Sequence, residues 1–166
     1  MSTKPGLTFS GKNVLVTGAS QGIGETIALE LAREGLAVAL VDIQREKLEL
    51  VAAKIREAGG AAWVHPADVS RLDQANGVVE AVLREQGSLD YLVNNAGITR
   101  DNLLMRMREE EWDAVIAVNL KGVFNFTRAA VRPMVGARFG RIVNISSVVG
   151  VMGNPGQANY SASKAG

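Results

Sequence analysis

The stretch Asn13-Val-Leu-Val-Thr17-Gly18-Ala-Ser20-Gln21-Gly22-Ile23-Gly24 decides the fold. A short apolar run passes directly into a turn holding three glycines. Beyond it Ile23, Ile27 and Leu31 recur at helical spacing on one stripe, up to a stop at Gly35. Such a strand–turn–helix unit can bind an anion. Glycine lets the backbone approach closely, and the first N–H groups of the helix have no partner of their own. The spacing Gly-x-x-x-Gly-x-Gly departs from the commoner Gly-x-Gly-x-x-Gly, and a tight structural turn accounts for the glycines equally well.

Reading outward, the same alternation repeats. Ala37 to Val41 is a second apolar strand ending at Asp42, and Leu48, Val51, Ala52 and Ile55 mark the next helix, stopped by Gly59-Gly60. Ala61 to His65 is a third strand closed by Pro66; a helix over Ser70 to Gln86 follows, with Leu72, Ala75, Val79, Val82 and Leu83 as its apolar face. Leu89 to Val93 leads into Asn94-Asn95-Ala96-Gly97, a long helix runs from about Glu109 to Met134, and Arg141 to Ile145 is the fifth strand. Strict strand–helix alternation predicts a parallel sheet covered on both faces by right-handed crossovers. The expected fold is therefore one α/β domain, a doubly wound parallel sheet spanning residues 1–166.

Composition narrows the function classes. With 47% hydrophobic and 21% charged residues the 166-residue chain has the balance of a globular domain with a substantial core. A formal charge of +1 gives no reason to expect nucleic acid or a membrane surface as partner. Cysteine is absent, which excludes disulfides and thiolate metal sites, and the one histidine, His65, is read as structural rather than as a metal ligand. The start, Met1-Ser-Thr-Lys-Pro-Gly6, does not read as a signal peptide, and no apolar run is long enough to span a membrane, so a cytoplasmic location is expected.

The chemistry concentrates near the C-terminus. Ser147 follows the fifth strand, then a loop with Gly150, Gly153, Pro155 and Gly156, then Tyr160 and Lys164. Positions four apart on a helix share a face. An ammonium beside a phenol favours the ionised form, which makes the phenol a usable general acid for a carbonyl oxygen taking up negative charge. Ser147 adds a second hydroxyl for that oxygen. A bare Tyr-x-x-x-Lys is also a common incidental pair on a surface helix.

Other residues lean the same way. Asp42 stands where an acid can bind an adenosine ribose, or where it simply caps the next helix. Asn94 to Gly97 lies past the carboxyl end of the fourth strand, on the edge where open parallel sheets bind ligands, though Asn and Gly also make ordinary turns. Asp68, on the same edge, fits contact with an adenine ring or a cap of the following helix. Trp112, Val115, Ile116, Val123, Phe124 and Val131 are taken as the buried stripe of the long helix, and Asn119 falls on it. A buried mid-helix Asn needs partners; it serves either as a satisfied structural residue or as a polar group held for water or substrate. Met105 and Met107 are core or pocket wall.

Taken together, Thr17 to Gly24, Asn94 to Gly97, Asn119, Ser147 and Tyr160-x-x-x-Lys164 resemble the short-chain dehydrogenase/reductase family. Asn95 to Met107, Gly140 to Gly150, Met152 to Asn154 and Gly156 to Tyr160 most resemble its 3-oxoacyl-acyl-carrier-protein reductases. The resemblance implies a Rossmann-type fold and nicotinamide-dependent reduction of a 3-oxoacyl thioester in fatty-acid biosynthesis. It implies a catalytic tetrad of Asn119, Ser147, Tyr160 and Lys164, with Tyr160 the acid and Asn119 holding a relay water. Cofactor contacts are expected from Gly18, Ser20, Gln21, Gly22, Ile23, Gly24, Asp42, Asp68, Val69, Asn95, Ala96, Gly97, Tyr160 and Lys164. Arg138, in a cluster with Arg128, Arg132 and Arg141, is the expected contact for an acidic acyl-carrier protein; a solvated basic helix end is the alternative. Members of the family continue well past the catalytic lysine and form homotetramers, so the sequence is expected to be C-terminally incomplete.

Two departures bear on the cofactor. Many carrier-protein reductases have a basic residue where Gln21 stands and no acid where Asp42 stands. Asp42 favours NADH, whereas the subfamily favours NADPH. A dehydrogenase of another secondary alcohol, such as a polyol, sugar or steroid, and a non-catalytic dinucleotide-binding fragment are the other readings of the same residues.

Overall fold

The computed structural model describes residues 8–166, so the signal-peptide reading of Met1 to Gly6 lies outside the described residues. Five strands, β1 (Asn13–Thr17), β2 (Ala37–Asp42), β3 (Ala62–Pro66), β4 (Tyr91–Asn94) and β5 (Arg141–Asn144), form one parallel sheet in the order β3-β2-β1-β4-β5. Helices α1 (Gly22–Arg33), α2 (Arg45–Glu57) and α3 (Leu72–Gln86) make the first crossovers. Helix α4 (Glu109–Ile116) runs through a π-helical turn, Ala117–Lys121, into α5 (Gly122–Ala137), and two short helices, α6 (Val149–Met152) and α7 (Ala158–Ala165), follow β5. The expected doubly wound α/β architecture is the one observed.

The central strands β1 and β2 are apolar along their middle positions, Val14 to Val16 and Val38 to Val41, because both faces are covered. Val14, Val16, Val38 and Leu40 face α1 and α2, packing on Leu48, Val51 and Ile55. Leu15, Ala39 and Val41 point the other way, into a layer with Val79, Val82, Phe126 and Ala130 of α3 and α5. All of these are essentially inaccessible to solvent. Helix α3 stops where Gly87 takes the left-handed conformation, φ +82°, that lets its N–H close on the Leu83 carbonyl.

The register sets up the site. Thr17 is level with Val41, Asp42 with Pro66, and Asn94 with Asn144, so the loops after the strands leave from one edge. The chain winds outward from β1 to β3 and then returns to place β4 on the other side of β1. Loops at that edge diverge between β1 and β4, leaving a crevice where open α/β sheets take ligands.

Three sequence expectations differ from the structure. Ile23 does not belong to the buried stripe of α1; it is 67% exposed at the crevice. On the long helix, Trp112, Phe124 and Val131 are exposed, and the inward face carries Val115, Asn119, Gly122, Phe126, Ala130 and Met134. The π turn inserts extra residues into the 3.6-residue period, so a stripe extrapolated across it lands on the wrong side. Met105 is 88% exposed and is not core.

His65, as expected, is a structural residue: it is buried on β3, with Nε2 lacking a hydrogen-bond donor or acceptor and the Glu85 carboxylate 3.4 Å away. Burial lowers its pKa, Glu85 opposes this in part, and Arg84 adds to it. The charged form is therefore disfavoured in the fold. Unfolded histidine titrates near pH ~6.5, so stability is full above that value and is lost as pH falls through the lower folded pKa. The unfolding free energy is expected to decline in that window by up to about 1.4 kcal/mol per pH unit, and the melting temperature with it. His65→Gln should flatten this part of the Tm–pH curve; an unchanged curve would remove His65 as its cause.

Candidate active site

A cleft of about 510 Å³ lies at the carboxyl edge between the loops after β1, β4 and β5. It brings together Gly18, Gln21, Gly22, Ile23, Gly24, Asp42, Asn95, Ala96, Gly97, Ser147, Tyr160 and Lys164, and adds Ile98, Thr99, Ile145 and Ser146, which sequence reasoning missed. A larger hollow, about 750 Å³, opens at the opposite end of the sheet between the last turns of α1 and α2, and none of the candidate residues line it.

The three glycines have different jobs. A Cβ on Gly24 would lie 2.1 Å from the Gly18 carbonyl oxygen, and one on Gly18 would lie 2.8 Å from the Ala96 Cα. Both therefore allow the turn to pack on the loop after β4. Gly22, with φ +59°, has nothing within 4 Å of its Cβ position. Here the start of α1 opens to the cleft, and the preceding Gln21 side chain does not cap it. Free N–H groups at an open helix start suit a pyrophosphate, and Asp42 lies on the same cleft with one carboxylate oxygen accepting from Gln44 N at 3.1 Å. The residues present fit a dinucleotide.

The walls are held by buried polar ties. Thr17 Oγ1 accepts from Asn95 N at 3.0 Å and Ala96 N at 3.1 Å, while Asn95 Nδ2 donates to the Thr17 and Gly18 carbonyls. Asn95 thus acts on the cleft by locking the glycine turn to the loop after β4. Asn94 Nδ2 donates to Asn144 Oδ1 at 2.9 Å and couples β4 to β5. Ser20 is buried, 3.4 Å from Gln44 Nε2. Asp68 is outside the cleft lining; its Oδ1 accepts from Ser70 N and Oγ in a local turn, and it does not cap α3, whose N-cap is Arg71. Val69 is also outside it, with its side chain packed on Gly122 and its carbonyl held by Asn125 Nδ2 at 2.9 Å.

At the reacting end, Ser147 Oγ accepts from Val149 N at 3.2 Å, so its own proton is left for an oxygen in the cleft. Lys164 Nζ lies 5.9 Å from the Tyr160 ring centroid and donates to the Ile145 carbonyl at 2.6 Å. Burial pulls the Lys164 pKa below its ordinary value. Helix α7 is pinned by Asn159, fully buried, whose Nδ2 donates to the Arg100 and Glu111 carbonyls while Oδ1 accepts from Tyr160 N.

Asn119, 3% exposed, sits in the π turn. Its Oδ1 accepts from Ile98 N at 2.8 Å, and its Nδ2 donates to Ile98 O and Ser163 Oγ, both at 3.0 Å. Both amide protons are taken by protein partners. The side chain joins the cleft wall to α7, with one Oδ1 lone pair remaining.

The arginines divide into two pairs. Arg128 and Arg132 border a hollow against α3; Arg138 and Arg141 border another, with the Arg141 guanidinium 5.2 Å over the Phe139 ring. None of the four is ion-paired among the described residues. Arg138 precedes β5 and Ser147 follows it, so the two lie at opposite ends of that strand. Among the described residues no group of side chains is arranged to hold a metal ion, and no helix is long and apolar enough to cross a membrane.

A family model described as short chain dehydrogenase matches residues 12–166. The 3-oxoacyl-[acyl-carrier-protein] reductase FabG of Staphylococcus aureus strain Mu50 is 54% identical over 156 residues, covering 93% of this chain and 63% of the relative. The protein of the same name from Thermotoga maritima is 51% identical over 160 residues, 96% of this chain and 65% of the relative. Nodulation protein G of Rhizobium sp. strain N33 is 49% identical over 158 residues, 95% and 63%. The chain thus spans less than two thirds of the length of these relatives. With a parallel sheet in the observed order and the Ser147, Tyr160 and Lys164 side chains on one cleft, the chain belongs to the short-chain dehydrogenase family.

Proposed function

We propose that this chain carries the cofactor site and catalytic residues of a nicotinamide-dependent reductase that converts 3-oxoacyl thioesters, borne on acyl-carrier protein, to the 3-hydroxyacyl form. The observation that carries the reading is the single cleft shared by an open helix start, Asp42, Ser147, Tyr160 and Lys164. A bound nicotinamide supplies the hydride that reaches the carbonyl carbon. The Tyr160 hydroxyl gives its proton to the carbonyl oxygen, and Ser147 donates a hydrogen bond to the same oxygen, holding it in line. Each such donor, fixed before charge develops, is worth on the order of 3 kcal/mol. Lys164 places a cation beside the phenol as it becomes phenolate. Asn119 and Asn159 hold the wall and the helix in register. Asp42 accepts from the ribose hydroxyls and repels a 2′-phosphate, which makes NADH the preferred nucleotide. The identities of about 50% to two carrier-protein reductases support the substrate class.

Substrate class is tested by nucleotide oxidation in a chain extended to the length of its relatives. Acetoacetyl-carrier protein and acetoacetyl N-acetylcysteamine should both be reduced, and a 3-ketosteroid should not. Reduction of the steroid with the thioesters untouched would sink the reading. Arg138 refines it. This residue is left-handed, φ +54°, the one non-glycine with positive φ among the described residues. Its charge is thus retained at a position where glycine is favoured on backbone grounds. Arg138→Gly is expected to hold stability within about 1 kcal/mol. It should raise KM for the carrier-borne substrate roughly tenfold, about 1.4 kcal/mol, and leave the small thioester unaffected. Equal effects on both substrates would remove Arg138 from carrier docking.

A further inference from the structure

We propose that Lys47 is a specificity-determining residue of the cleft, the cation through which it takes a 2′-phosphorylated dinucleotide as well as NADH. This rests on the dinucleotide reading above and goes beyond it. Neither Asp42, an anion, nor Gln21, which is neutral, can bind a phosphate dianion by charge. The structure supplies a cation from a third direction. Lys47 Nζ donates to Gln21 Oε1 at 2.8 Å, joining α2 to the N-cap of α1 across the mouth of the cleft that Gln21 and Asp42 line. Its charge is carried to the position on the first turn where the sequence alone lacks one.

Three observations separate this from an incidental surface contact. Lys47 is exposed and makes no ion pair among the described residues, so its charge is not neutralised by a carboxylate. It is the third residue of α2, in a first turn that favours anions, so its charge works against its own helix. An anion between the starts of α1 and α2 would be attracted by both helix ends and by Lys47 together. The nearby alternative, Arg45, points along its own helix toward Glu49, 3.7 Å away, and Glu49 is also 3.9 Å from Arg56. Lys47 is therefore the cation at the ribose end of the cleft, and Gln21 is its anchor. Asp42 sets the preference for NADH, and Lys47 sets how far NADPH falls behind.

The test is calorimetric titration of the chain with NADH, NADPH, adenosine 5′-phosphate and adenosine 2′,5′-bisphosphate, none of which needs turnover. The parent should bind both dinucleotides. Lys47→Met should weaken NADPH and the bisphosphate roughly tenfold or more, a loss of about 1.4 kcal/mol. NADH and the monophosphate should stay within about twofold, and Lys47→Arg should retain NADPH. Added salt should weaken NADPH binding to the parent more than to Lys47→Met, because the charge pair is exposed. Equal weakening of NADH and NADPH, or an unchanged NADPH affinity, would overturn the role of Lys47 while leaving the dinucleotide site in place. A parent that binds none of the four ligands would overturn the dinucleotide reading itself.

Discussion

Tyr160→Phe is expected to lower the rate of thioester reduction by about 10²–10⁴-fold, the usual contribution of a positioned general acid. Dinucleotide affinity should stay within about twofold. The substitution removes one hydroxyl and keeps the ring against which Lys164 rests, with Nζ 5.9 Å from its centroid. The backbone of Tyr160 is held independently, by Asn159 Oδ1 on its N–H and Ser163 Oγ on its carbonyl. Helix α7 should therefore keep its place in the variant. Steady-state kinetics and a fluorescence titration of NADH, on a chain extended to the length of its relatives, check the two halves. Turnover within about tenfold of the parent, roughly 1.4 kcal/mol of barrier, would rule out Tyr160 as the proton donor.

Asn119→Leu should be the most destabilising of the site substitutions. Leucine preserves bulk but leaves the Ile98 N–H and C=O and the Ser163 hydroxyl without the carboxamide that now joins them. Each buried polar group left unpaired costs about 1–3 kcal/mol. A total near 3 kcal/mol corresponds to a fall in melting temperature of about 6–12 °C for a chain of this size. Activity should fall as well, because Ile98 belongs to the cleft and Ser163 to the helix that carries Tyr160 and Lys164. Thermal unfolding gives the measurement. A Tm within about 2 °C of the parent would show that these bonds do not hold the wall to the helix.

The fold was legible because its signals are local. Apolar runs such as Val14 to Val16 and Val38 to Val41, separated by helices with glycine stops, leave little choice but a covered parallel sheet. That Ser147, Tyr160 and Lys164 share one cleft was legible for a similar reason: Tyr160 and Lys164 are a turn apart, and Ser147 follows β5 by three residues. The long helix misled because its two faces are similarly apolar. Phe124 and Val131 compete with Phe126, Ala130 and Met134, and the π turn at Ala117–Lys121 shifts the phase between α4 and α5. The polar ties were not legible at all. Thr17 meets Asn95 and Ala96 from 78 and 79 residues away, and Asn159 meets Arg100 from 59. Lys47 escaped notice likewise, since its partner Gln21 is 26 residues distant and on another helix. Asp68 and Val69, expected among the cofactor contacts, lie outside the cleft lining, Asp68 in a local turn with Ser70 and Val69 packed on Gly122.

The most direct test of the central claim follows the hydride. NADH carrying deuterium at the transferable position of nicotinamide C4 is mixed with acetoacetyl thioester and the extended chain, and the product is analysed by mass spectrometry. The account predicts a 3-hydroxybutyryl thioester with one deuterium on C3 for each nucleotide oxidised, and almost none from the Tyr160→Phe variant. A chain that binds NADH but forms no labelled product under these conditions, or a Tyr160→Phe variant that labels C3 as fast as the parent, would contradict it.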